Sequence, residues 1–284
     1  MQALRVSHLT EYTFADFVTL QPHQLMLRPR EGHDIRILSS RLEISPAHNI
    51  RWHRDVYNNS VATVNFEAAA NRLSINSEVT LEHYDEDPLD FVVADYAVHY
   101  PFRYQPYEEG DLAPCLEPNY PADHDSLNSW LNDTGLVQPG IQTYVLLNRL
   151  TQSIANSFSY RMREEPGVQS PGETLALGSG SCRDFAALFM EACKRMQLAC
   201  RFVSGYLHAP ATEVGNGSTH AWAEVYLPGP GWKGFDPTTG ELTAEKHIPV
   251  AVARHPEWAP PVAGSFVGSA QTPLLNVDVQ VTPL

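Results

Sequence analysis

One stretch of this chain constrains its fold more than any other. Phe185, Leu188, Phe189, Ala192, Cys193 and Met196 recur at helical spacing and predict a helix with a single apolar stripe. Ser181, followed three residues later by Asp184, gives that helix a start resembling a capping box and puts Cys182 at its first position. A one-sided helix of this kind needs a sheet against it, and the residues that follow supply strands. The stretch Cys200–Leu207 is β-like, 220–227 alternates, and Pro228-Gly229-Pro230-Gly231 marks a turn into 232–236.

The first hundred residues also read as strands. Leu4, Val6 and His8 alternate with Arg5 and Ser7, Ile35 and Ile37 with Arg36 and Leu38, and Leu42 and Ile44 flank Glu43. Tyr57-Asn58-Asn59-Ser60 suits a hairpin turn leading into 61–66, and a further strand is expected over 73–81. Prolines 101, 106, 114, 118, 121 and 139 then interrupt regular structure, so 101–140 is expected to be a surface connection with one short helix near 126–131. An amphipathic helix fits 141–157, with Tyr144, Leu147, Ile154 and Phe158 available for burial. The alternating tail 277–281 must pair with a sheet built earlier. The expected fold class is α+β: an N-terminal antiparallel β domain over 1–84, a proline-rich connection over 85–140, and a helix-on-sheet core over 141–284 that ends in a strand.

Charge and composition remove several function classes. With 19 basic and 33 acidic residues the net charge is −14, which argues against nucleic acid or an anionic membrane as a partner. No apolar run approaches the roughly 18 residues a bilayer requires. The first residues lack the apolar core and cleavage site of a signal peptide. The four cysteines, at 115, 182, 193 and 200, form no paired framework and suit a reducing compartment, so a cytoplasmic location is expected. On that view the sequons at Asn58, Asn132 and Asn216 are turn residues.

Three short segments carry the chemistry: Gly-Ser-Cys-Arg-Asp-Phe-Ala at 180–186, Thr-His-Ala-Trp at 219–222 and Gly-Phe-Asp-Pro at 234–237. A thiol is a nucleophile as its anion, and a helix N-terminus favours that anion through unpaired N–H groups and the helix dipole. Gly178 and Gly180 would let the backbone approach a substrate, and the Cys182 N–H could donate to a developing oxyanion. His220 follows a Gly/Ser-rich loop over 215–218 and shares one strand face with Trp222, Glu224 and Tyr226. If the Pro-Gly turn makes a hairpin, Asp236 and His220 meet at one end of the sheet. The aspartate can then hold one imidazole nitrogen while the other faces Cys182. Trp222 could wall the cleft or pack in the core. Cys193 and Cys200 are core residues on this reading. Cys182, Cys193, Cys200, His208 and His220 show neither a C-x-x-C nor an H-x-x-x-H pair, so no metal site is expected.

At these residues the chain resembles the bacterial transglutaminase-like family, whose core is papain-like. The matching runs are Phe158-Ser159-Tyr160, Gly-Ser-Gly-Ser-Cys-Arg-Asp-Phe-Ala, Arg-Phe-Val-Ser-Gly-Tyr-Leu, Ser-Thr-His-Ala-Trp-Ala-Glu-Val-Tyr-Leu and Gly-Phe-Asp-Pro-Thr-Thr-Gly. Tyr12-Thr13-Phe14, Leu27-Arg28-Pro29-Arg30 and Asp55-Val56-Tyr57-Asn58-Asn59 resemble the family's N-terminal β region. The resemblance implies a Cys182–His220–Asp236 triad, with the nucleophile helix packed on an antiparallel sheet, and no cofactor or metal. The expected function is cysteine-dependent acyl transfer from peptide, isopeptide or glutamine amides through a thioester, with hydrolysis preferred and a protein or peptide as substrate. Transamidation of protein glutamine is the alternative outcome of the same chemistry. A non-catalytic binding protein on the same fold is the alternative from another class.

Overall fold

The computed structural model describes residues 1–84, 87–163, 167–208 and 219–284. The Gly/Ser-rich loop and the Asn216 sequon lie outside these described residues. Six strands open the chain: β1 (Gln2–Leu20), β2 (His23–Leu25), β3 (Ile35–Ser45), β4 (His48–Arg54), β5 (Ser60–Phe66) and β6 (Ala70–His83). The alternation in the sequence is the alternation in space, since Leu4, Val6 and His8 are buried and Arg5 is exposed. Strands β1, β6 and β3 form one antiparallel sheet, and β2, β5 and β4 form most of another. Phe14, Val18, Leu25, Val64, Leu73 and Ile75 share a core within this module. The turn before β5 is held by the Asp55 carboxylate, which accepts from the N–H groups of Tyr57 (2.9 Å) and Asn59 (2.8 Å).

Regular structure continues where the prolines suggested little. Helices α1 (Pro106–Leu116) and α2 (His124–Thr134) both lie in the stretch expected to be a connection, and α2 is longer than the short helix read at 126–131. Pro106 stands at the first helical position, where its missing N–H has no intrahelical acceptor to lose, and Pro114 falls in the last turn. The Gln105 N–H donates to Glu108 Oε2 at 2.9 Å, which closes the start of α1. Helix α3 (Thr143–Ser157) is the one expected over 141–157. Leu146, Leu147, Leu150 and Ile154 are buried there, whereas Tyr144 and Phe158 are only half covered.

The core follows as β7 (Ser159–Tyr160), α4 (Pro171–Leu177), β8 (Ser179–Gly180), α5 (Cys182–Arg195), β9 (Cys200–Leu207), β10 (Thr219–Leu227), β11 (Gly231–Asp236), β12 (Glu241–Leu242) and β13 (His247–Ala253). Its sheet is antiparallel throughout, in the order β12-β11-β10-β9-β13. Every member of the α5 stripe is buried against it, and Phe189 stacks on Phe235 at 5.7 Å. Each large side chain of the stripe contributes about 1.5–3 kcal/mol on burial. Ala186, Ala187, Met190, Glu191 and Lys194, which lie off the stripe, are buried as well, so α5 is enclosed on more than the one face its sequence marks. Cys193 and Cys200 have no exposed surface; burial and then the neighbouring Cys200 thiol hold the Cys193 thiol well above its ordinary pKa. Among the described residues no helix is long and apolar enough to cross a membrane.

The chain then returns to its beginning. Strands β14 (Val262–Ala263), β15 (Phe266–Val267) and β16 (Leu274–Pro283) pair with β2, β1 and β1, respectively, and β16 matches β1 from Leu4↔Pro283 to Thr13↔Leu274. The N-terminal module also covers β13, which is an edge strand of the core sheet. Arg30 N–H donates to Pro249 O (2.8 Å), and the buried Asn59 amide donates to Val252 O (2.8 Å) and accepts from Val252 N–H (2.9 Å). His83 Nε2 donates to His247 O at 3.1 Å. Truncating Asn59 to Ala strands two buried backbone groups. Asn59→Ala should lower unfolding stability by about 2 kcal/mol in a denaturant titration, where an exposed polar truncation would cost a few tenths.

Candidate active site

Helix α5 begins where the sequence predicts and for the reason it gives. Ser181 is the cap residue, and Asp184 accepts from the Ser181 N–H (2.7 Å) and Oγ (2.9 Å). The Asp184 carboxylate reaches further than a cap requires. Its other oxygen accepts from Gln169 N–H and Arg163 Nη1, both at 2.8 Å, so one fully buried side chain ties two points of the connection before α4 to the start of α5. The two glycines also have local reasons for being there. Gly178 ends α4 in the left-handed region (φ 62°), and a Cβ on Gly180 would lie 2.8 Å from Asp184 Cβ. Cys182 itself is buried, with 8 % of its surface exposed.

The hairpin expected through the Pro-Gly turn is present, with Ala223 opposite Phe235 and Leu227 opposite Gly231. Ala221, Ala223 and Val225 belong to the core that includes α5. Trp222 packs on a separate cluster with Val203 and Val252, so it is a core residue. Its ring stands edge-on to His247 at 5.2 Å and tilted to His220 at 6.1 Å. Gly205 lies opposite His220 in the sheet, where a Cβ would sit 2.6 Å from Trp222 Cη2 and 2.3 Å from Ile248 O. Only glycine allows that approach.

Cys182, His220 and Asp236 come together. His220 Nε2 donates to Asp236 Oδ2 at 2.8 Å, which leaves Nδ1 as the ring nitrogen free to face the nearby Cys182 thiol. Both His220 and Asp236 are buried. Burial alone would lower the His220 pKa, but the charge and hydrogen bond of Asp236, followed by those of Cys182, push it up to about 10. For Asp236 burial works upward and is outweighed by His220, then His247, which hold the carboxyl far below its usual range. Tyr160, beside this group, is pushed up to about 12 by burial and then by Cys182, so it remains a neutral phenol.

Sequence reasoning missed one member of the cluster. His247 Nε2 lies 3.1 Å from the same Asp236 Oδ2, and His247 Nδ1 accepts from Ala244 N–H at 3.3 Å. Among the described residues, His220, Asp236 and His247 are the one group of three whose ligand atoms lie close enough, within 4.8 Å, to hold a metal ion. The Ala244 N–H decides against that use for His247. It requires a lone pair on Nδ1, so Nε2 carries the proton and offers Asp236 a hydrogen rather than offering a cation an electron pair. No spacing rule points to His247. The faint signal available was the apolar run 248–253, which announces a strand after Asp236 without saying which edge of the sheet it joins.

Comparison with known proteins finds relatives of nearly full length. An uncharacterised protein of Mycobacterium bovis is 30% identical over 298 residues, covering 98% of this chain and 92% of its own. One from Mycobacterium leprae is 24% identical and covers both chains completely. Residues 4–82 match the bacterial transglutaminase-like N-terminal region, and residues 136–237 match the transglutaminase-like superfamily. The chain belongs to the bacterial transglutaminase-like family. Its transglutaminase-like core is papain-like, with the expected β module before it. A solved protein of Cytophaga hutchinsonii, provisionally named a cysteine protease, shares the fold with a TM-score of 0.75 at 18% identity, covering 100% of this chain and 91% of its own.

The electrostatics of this transglutaminase-like site predict a pH response. A histidine raised to about 10 contributes stability that is complete below its unfolded pKa of about 6.5 and is lost as pH rises through the folded value. The depressed Asp236 contributes stability present above about 3.8 and lost as pH falls. Denaturant titrations should therefore show stability declining between about pH 6.5 and 10, and Asp236→Asn should flatten that window.

Proposed function

We propose that this protein is a cysteine-dependent acyl-transfer enzyme that hydrolyses amide bonds of peptide or protein substrates through a thioester. The observation carrying this reading is the buried His220 ring, held by Asp236 at 2.8 Å through Nε2 and close enough to the helix-start thiol of Cys182 for that thiol to help raise its pKa. With its proton passed to His220, Cys182 Sγ attacks the carbonyl carbon, and the carbonyl electrons move onto oxygen beside the N-terminal N–H groups of α5. Collapse breaks the C–N bond, the amine leaves with the proton from His220, and an acyl–Cys182 thioester remains. Water then gives a proton to His220 and attacks the thioester, releasing the acid and restoring the thiol. Asp236 keeps the imidazole turned and stabilises its cationic form. Transamidation would differ only in the second half, with an amine attacking in place of water. All four cysteines are free, which supports a reducing compartment, and we assign the cytoplasm on that ground.

Two measurements test this. Iodoacetamide should alkylate Cys182 at least about tenfold faster than the other cysteines, because Cys193 is buried with a raised pKa and burial also raises that of Cys115. Equal, slow labelling of all four would point to a non-catalytic protein. Incubation with a labelled glutamine peptide and a primary amine should release acid without incorporating the amine. Cys182→Ala should reduce turnover by about 10⁴-fold or more with the fold intact. Incorporated amine would overturn the hydrolytic half of the reading.

A further inference from the structure

We propose that His247 is a positioning residue for the acyl-transfer site, fixing the orientation in which Asp236 meets the His220 ring. The inference rests on the reading of Cys182 as the nucleophile. Asp236 has no exposed surface, and both oxygens are taken. Oδ2 accepts from His220 Nε2 (2.8 Å) and His247 Nε2 (3.1 Å), while Oδ1 accepts from the N–H groups of Thr238 (2.9 Å) and Thr239 (3.4 Å). Oδ1 is held by the turn of its own chain segment. Oδ2, the atom that orients the base, has His247 as its other donor.

His247 is itself held from several directions. Its Nδ1 accepts from Ala244 N–H, and its backbone N–H donates to Ala244 O at 2.8 Å. Its carbonyl accepts from His83 Nε2, and Trp222 stands edge-on to its ring. The Ala244 contact takes the Nδ1 lone pair, so Nε2 is the nitrogen that carries a proton and points it at Asp236. Without that proton the carboxylate can rotate about its remaining bonds, and the imidazole it orients moves with it. A displacement of about 1 Å at a reacting group costs up to about 10²-fold in rate.

The rate of Cys182 alkylation by iodoacetamide in the full-length protein reads the thiol–imidazole pair directly and needs no substrate. His247→Gln, whose side-chain amide can place an N–H near the Nε2 position, should keep that rate within about threefold of wild type. His247→Leu should lower it roughly 10- to 100-fold, a smaller loss than removal of an orienting carboxylate produces. His247→Asn, polar but too short to reach, should match the Leu variant and serves if Leu fails to fold. In an Asp236→Ala background, His247→Leu should cost nothing further, a result that a merely structural role would not give. The role is overturned if folded Leu or Asn variants alkylate at the wild-type rate, if Gln is as slow as Leu, or if the loss persists without Asp236. A wild-type Cys182 no faster than the other cysteines would instead overturn the thiol chemistry itself, and this role with it.

Discussion

A carboxylate without exposed surface has to be satisfied where it lies, because water cannot do it. Asp236 is that group here, and much of the molecule is arranged around meeting its demand. Two turn amides take one oxygen and two imidazoles take the other. Those donors come from three places in the chain: the strand before the Pro-Gly turn, the turn after Asp236 itself, and the start of β13 on the far edge of the sheet. The same buried charge keeps His220 protonated across the neutral range, which places a cation beside the helix-start thiol. Helix dipole and imidazolium then act in the same direction on Cys182.

The parts that were legible in the sequence are those governed by local periodicity. The stripe from Phe185 to Met196, the Ser181–Asp184 cap and the hairpin through Pro228–Gly231 each depend on residues close in the chain, and each is found in place. Helix α1 was hidden because only Glu108, Leu112 and Cys115 are buried on it, too few for a stripe, and its prolines read as breakers. Helix α4 spans two turns, too short for an apolar stripe, although Ser170 and Glu173 as a capping box, Pro171 at its first position and Gly178 at its end mark it locally. His247 was hidden for a different reason. Strand β13 follows β12 in the chain but pairs with β9 across the sheet, so its neighbour is a matter of topology and not of spacing. A lone histidine before an apolar run has nothing local to mark it.

The wider role of Asp184 was equally invisible. As a cap it needs to reach only Ser181, and the sequence shows that much. In the fold it also gathers Gln169 and Arg163, so the segment before α4 and the start of α5 are fixed by one side chain. The position of the nucleophile is thus set by hydrogen bonds, while the position of its helix is set by apolar burial. The two kinds of interaction divide the task, with burial giving the energy and the carboxylates giving the geometry.

The covering of β13 by the N-terminal module has a consequence for how such a chain can evolve. An uncovered edge strand offers its carbonyls to any extended segment that passes, and such edges recruit foreign strands. Here the acceptors at His247, Pro249 and Val252 are occupied from within the same chain. The module that occupies them cannot be exchanged for an unrelated neighbour without exposing a sticky margin one strand away from the chemistry. The loops around Arg30 and Asn59 are therefore answerable to a sheet more than a hundred residues further along the sequence.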